Sequence, residues 1–115
     1  PMKPLSTYQC IATPASAKPL THTEQGALCA KVPDWRVAQV SGIDQLQRSF
    51  KFDDFVQAIA FANRISEIAE SNDHHPTLLL SYGQVTVNWW SHSIAGLHHN
   101  DFVMAAKTDE IFNTQ

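Results

Sequence analysis

Five of the six histidines in this 115-residue chain lie between Glu70 and Asp101: His74, His75, His92, His98 and His99. Imidazole is the side chain whose ordinary pKa sits near neutrality, so spaced histidines can trade protons as acid and base. They can also bind zinc. Here the metal signature fits less well. Adjacent His74 and His75 diverge as neighbours do, and there is no His-x-x-x-His pair and no nearby cysteine. Spacing alone leaves both chemistries open. Nucleophilic catalysis finds less support, because Cys10 and Cys29 belong to no motif and no serine sits in an elbow of glycines.

The elements that must position these histidines are legible. Asp53 is expected to cap a long helix over about Asp54–Asn72. At 100° per residue its apolar face is Phe55, Ala58, Ile59, Phe61, Ala62, Ile65, Ile68 and Ala69, with Gln57, Asn63, Arg64, Glu67 and Glu70 opposite. His74 falls at the end of this helix, where the dipole favours a protonated ring. Glu70 and Asp73 can add to that or hold the tautomer. Pro76 forces His75 out of the helical region and fixes its direction. Strands follow at Thr77–Tyr82 and Val85–Trp90, joined at Gly83-Gln84, where glycine in first place suits a type II′ turn. Alternation puts Val85, Val87 and Trp89 on one face. Thr86, Asn88, Trp90 and, if the strand continues, His92 take the other. A last helix over about His98–Phe112 buries Phe102, Val103, Ala106 and Ile111. His98 and His99 at its start read as surface or capping residues, neutral because a positive charge opposes the dipole there.

Upstream, residues 1–20 hold four of the six prolines and no apolar period, and read as an irregular arm that packs on the body or on a partner. Residues 21–115 form the single domain. In it Thr21 or Thr23 caps a short helix over Glu24–Lys31, with Leu28 and Val32 on one side, ended by Pro33-Asp34. Trp35–Val40 is a strand, 41–44 a turn, and Gln45–Phe52 an alternating strand with Arg48 on its apolar side. The order is α-β-β-α-β-β-α. That is an α+β fold: a four-stranded antiparallel sheet with three helices on one face. The other face is left for a ligand or for oligomerisation.

Composition excludes several functions. The hydrophobic fraction of 43% allows a core without staples, and a net charge of −3 without clustered Lys or Arg argues against a nucleic-acid groove. No apolar run approaches the ~20 residues of a membrane span. No secretory signal is seen. Two cysteines in no redox spacing point to free thiols in a cytoplasmic protein, with one disulfide as the alternative.

The run Glu70-x3-His74-His75-Pro76-x5-Tyr82-x9-His92-x8-Asp101 resembles the signature of the pterin-4a-carbinolamine dehydratase family. Trp35, Arg48-Ser49-Phe50-Lys51-Phe52, Asp54-Phe55 and Ala95-Gly96-Leu97 match it in order, and the likeness covers roughly residues 20–112. The resemblance implies the same α+β fold and a lyase that removes water from a 4a-hydroxytetrahydropterin to give quinonoid dihydropterin. This recycles the cofactor of aromatic amino acid hydroxylases. It implies no metal and no organic cofactor, the pterin being the substrate, and a homodimer or homotetramer. An aromatic amino acid hydroxylase is the pathway partner. Carried over by position, His74 and His92 resemble acid–base residues and His75 an assisting or substrate-binding one. Glu70 and Asp73 resemble orienting groups beside Pro76 and Ser91, and Trp35 a stacking platform for the pterin. Asp101 is read as a helix-start residue. His98 stands where a capping Ser or Thr is usual, so half the capping box is expected to be missing. Trp89-Trp90-Ser91 departs from the smaller residues usual there and would reshape the mouth of the site. The competing readings are a non-catalytic dimerising interaction module and another pterin-handling role, for example near molybdopterin metabolism.

Overall fold

The computed structural model describes residues 4–10 and 13–114. Strands β1 (Arg36–Val40), β2 (Ile43–Lys51), β3 (Thr77–Ser81) and β4 (Gln84–Trp89) form one antiparallel sheet in the order β1-β2-β4-β3. Helices α1 (His22–Cys29), α2 (Phe55–Asn72) and α3 (His99–Asn113) complete the α-β-β-α-β-β-α order. Register explains the core. Leu46 pairs with Trp89, Arg48 with Val87 and Phe50 with Val85, so their side chains share the face under the helices. Leu46, Phe50, Val85, Val87 and Trp89 are fully buried there, against Phe61, Ile65 and Phe102. The opposite face carries a polar ladder in which Asn88 donates to Gln45 at 2.7 Å and Ser49 meets Thr86 at 2.8 Å.

Local chemistry sets the joints. Thr21 caps α1 in a complete capping box with Glu24. Ser41 and Gly42 both adopt positive φ, as a tight two-residue hairpin requires, so the first turn is shorter than expected. Asp54, not Asp53, caps α2: its carboxylate accepts from the Gln57 N–H at 2.8 Å. The α2 face is narrower than its periodicity implies. Ala58, Phe61, Ile65 and Ala69 are buried, whereas Phe55 and Ile59 stay exposed, because the sheet and α3 together cover only one seam. The second hairpin turns at Tyr82-Gly83, one residue early, with glycine second. The Gly83 carbonyl accepts from Phe52 N at 2.8 Å, and a Cβ on Gly83 would stand 2.9 Å from the Phe52 carbonyl oxygen. That close approach, with φ at +68°, fixes where glycine must sit.

The arm lies on its own body. Leu5 is buried, Lys107 Nζ donates to the Ser6 carbonyl at 2.9 Å, and Ser6 Oγ to Glu110 at 2.9 Å. Downstream, Leu20 N bonds to Leu97 O at 2.8 Å, and Pro19 sits so close to Gly96 that a Cβ there would clash at 2.8 Å.

Candidate active site

Asp73 ends α2 in the left-handed conformation (φ +50°), a position where Asp is tolerated better than most residues. The chain reverses, His74 N bonds back to the Ala69 carbonyl at 3.1 Å, and the imidazole of His74 swings inward. There it lies nearly parallel to the buried Trp89 indole, with centroids 5.8 Å apart. Its Nε2 is 2.6 Å from Oδ1 of Asp101, which is completely buried in the first turn of α3. The other Asp101 oxygen accepts from Ser91 Oγ at 2.8 Å and from the His98 N–H at 2.9 Å. Three donors thus converge on one carboxylate. A carboxylate only accepts, so the ring gives Nε2–H to it, and in the neutral ring Nδ1 is the basic nitrogen.

His75, held extended before Pro76, is half-exposed and its Nε2 is hydrogen-bonded to the Glu70 carboxylate. His92 arrives differently from expectation. β4 stops at Trp89, Ser91 pairs with Gly96 across a short loop, and His92 opens a single 3₁₀ turn. The turn, not strand alternation, delivers its ring, which stacks on Trp90 with centroids 4.1 Å apart.

His74, His75, His92, Asp73 and Ser91 line one open cavity of ≈ 330 Å³, together with Thr13 and Ser93. That is within the range of small-molecule sites. A second cavity of ≈ 590 Å³, between the arm and the ends of α2 and α3, is larger but holds no histidine. Its Lys107 and Glu110 are already committed to Ser6. Chemistry, not volume, selects the first. The cavity lies at the end of the sheet, where α2 stops and α3 starts, and not on the uncovered sheet face.

Glu70 and Pro76 lie outside the lining, Glu70 hydrogen-bonded to His75 and Pro76 next to it in sequence. Trp35 does not serve the cavity. The indole is buried against Phe50 and its N–H donates to Asp109 at 2.8 Å, so it has no face to offer a ligand. The aromatic partners of the site are Trp89 and Trp90, which spacing alone did not separate from core. The capping box at α3 is complete: His98 Nδ1 accepts from Asn100 N at 3.2 Å while Asp101 accepts from His98 N. An imidazole nitrogen replaces the hydroxyl oxygen. His99 is half-buried edge-on to Tyr8, and burial, then His98, lowers its pKa, in keeping with a neutral ring.

Cys10 and Cys29 are free thiols, so the disulfide alternative falls. Burial, with Asp101 and Asp73 adding, pushes Cys10 up to about 11 against the pull of Lys107. Such a thiol is a poor nucleophile near neutrality. Among the described residues no three His, Cys, Asp or Glu side chains are grouped as a metal would need, and no helix is long and apolar enough to cross a membrane.

The family model described as Pterin 4 alpha carbinolamine dehydratase matches residues 18–111. The chain belongs to that family. Full-length relatives agree. A protein of Microcystis aeruginosa named "Putative pterin-4-alpha-carbinolamine dehydratase" is 46% identical over 99% of this chain and 98% of its own length. One of the same name from Marinobacter nauticus is 47% identical over 96% of this chain and 100% of its own. Both alignments reach well into the arm that the family model leaves out. A crystal structure of a transcriptional coactivator/pterin dehydratase from Brucella melitensis superposes with a TM-score of 0.73 at 34% identity, over 82% of this chain and 98% of that one. A pterin dehydratase-like protein, identified as a RuBisCO assembly factor in the alpha-carboxysome, gives 0.57 at 19% identity, over 68% and 88%, and shares the fold.

Proposed function

We propose that this member of the pterin-4a-carbinolamine dehydratase family dehydrates a 4a-hydroxytetrahydropterin by histidine acid–base catalysis, returning quinonoid dihydropterin for reuse by an aromatic amino acid hydroxylase in the cytoplasm. The observation that carries the reading is the His74–Asp101 pair, opening on the same cavity as His92. The reaction breaks the bond between the ring carbon and its hydroxyl, and that oxygen leaves as water once it gains a proton. The adjacent ring nitrogen gives up its own proton, and its electron pair forms the new carbon–nitrogen double bond. His74 suits the base. Its Nδ1 receives the proton, and the imidazolium that forms lies against the buried Asp101 carboxylate, as in other carboxylate-backed histidines. His92, on the open side, suits the acid. His75, tied to Glu70, assists in holding the substrate. The step as written needs neither a metal nor an organic cofactor.

The test is an assay with freshly generated 4a-hydroxytetrahydropterin against its spontaneous dehydration. The protein is expected to accelerate the step. His74→Ala and His92→Ala should each lose ~10²-fold or more while staying folded, and His98→Ala should not. No acceleration by the parent sinks the reading, and stoichiometric zinc by elemental analysis would replace acid–base chemistry with a metal site. Self-association as a dimer or tetramer belongs to the same proposal. Phe55, Val56 and Ile59 on α2 and Leu79 on the edge strand are exposed and apolar, and light scattering reads the mass directly.

A further inference from the structure

The cavity has two kinds of wall. One is the acid–base wall of His74, His75 and His92 with Asp73. The other is made of hydroxyls and comes partly from the arm: Thr13 and Ser93. Thr13 is held in place from two sides. Its Oγ1 accepts from Asn100 Nδ2 at 3.0 Å, and its carbonyl accepts from Ser93 Oγ at 3.4 Å. Asn100 is itself buried in the first turn of α3, next to Asp101. The arm is pinned on both flanks of this point, through Ser6 to Lys107 and Glu110, and through Leu20 to Leu97. So the hydroxyl at the mouth of the cavity is fixed by the fold. A hydroxyl that accepts one hydrogen bond still has its own O–H to give and a second lone pair.

We infer that Thr13 is a specificity-determining residue whose hydroxyl holds a polar substituent carried by the substrate. The inference rests on the pterin reading above. If the reacting edge of the ring faces the histidines, a substituent on the ring must point to the remaining wall, and that wall offers Thr13 and Ser93. A site built to hydrogen-bond a hydroxyl discriminates strongly against an analogue lacking it, because its own polar group is then left unpaired. The arm thereby becomes part of the site and not packing alone.

Two stable dihydropterins serve as probes, one bearing a dihydroxypropyl group and one a methyl group in its place. Each is titrated against the full chain by quenching of tryptophan fluorescence, since Trp89 and Trp90 lie beside the histidines. The parent should bind the hydroxylated probe about tenfold more tightly, the order expected of one to two hydrogen bonds. Thr13→Val keeps the shape and removes the hydroxyl, and should bring the ratio of the two affinities near one. Thr13→Ser should restore most of it. Equal weakening of both probes in Thr13→Val makes Thr13 a packing residue and overturns the inference, as does a ratio unmoved by the change or a parent that does not discriminate. Turnover of the methyl-bearing 4a-hydroxy substrate by the parent tests the dehydratase reading separately. A parent that turns it over yet shows no preference between the probes refutes the role of Thr13 alone.

Discussion

Helix α3 carries three carboxylates, Asp101, Asp109 and Glu110, and two of them, Asp101 near its start and Asp109 two turns on, each gather more than one donor. Asp101 receives His74, Ser91 and the His98 amide. Asp109 receives the Trp35 indole N–H at 2.8 Å and Arg48 at 2.6 Å. The Arg48 guanidinium also lies 4.3 Å from the Phe50 ring centre and caps the aromatic cluster with Phe112. Eight residues apart at 100° each, the two acids share one broad side of the helix. What differs is the donor. An indole N–H and a guanidinium do not change protonation near neutral pH, so the Asp109 cluster can only hold. A histidine can gain and lose a proton, and His74 and Ser91 of the Asp101 cluster line a cavity. The same architectural device is structural at one end of α3 and chemically competent at the other.

Asp101→Asn should have the largest effect. Asparagine leaves one oxygen for three donors and no negative charge for an imidazolium. Turnover is expected to fall ~10²-fold, with an altered pH profile and a retained circular dichroism spectrum. If the variant loses only stability, Asp101 is a second Asp109 and the contrast collapses. Asp109→Asn should do the reverse. Denaturant unfolding is expected to show a loss of about 2 kcal/mol, since the Arg48 charge is left with the more distant and exposed Asp34 at 3.7 Å, while turnover below the melting transition stays within about twofold. Trp35→Phe, which removes one donor, should cost about 1 kcal/mol and leave pterin affinity unchanged; a large drop in affinity would return Trp35 to the site.

The smallest effect concerns pH. His99 has a folded pKa lowered from 6.5, so the unfolded chain takes up its proton first on acidification. The stability this group contributes is complete above about 6.5 and is lost as the pH falls through the folded pKa. Urea midpoints near pH 7.5 and near pH 5.5 should differ less in His99→Gln than in the parent.

Much of this arrangement was legible beforehand because its causes are local. The period of α2, a threonine cap before α1, the alternation of β2 and the proline lock on His75 each need only a few neighbouring residues. They were enough to set the element order and to bring His74, His75 and His92 to one region, with the family resemblance choosing between metal and acid–base chemistry. Some joints slipped by one residue, as at Asp54 and Gly83, because adjacent positions compete on nearly equal propensity until packing decides.

What the sequence could not determine depends on contacts between distant residues. Trp35 lost its expected role and Asp101 added to its own: the indole found Asp109 74 residues away, and Asp101, besides closing the capping box of α3, found His74 across 27. The arm looked formless because its own hydrogen bonds close only short turns, as at Leu5–Thr7, and those that seat it go to α3 and the loop after β4. An imidazole completed a capping box that motif logic had written off. By itself the sequence determined the main elements, their order and which histidines could gather at one cavity. Only the tertiary structure decided which carboxylate backs which donor, since burial and pairing depend on where folding places the partner.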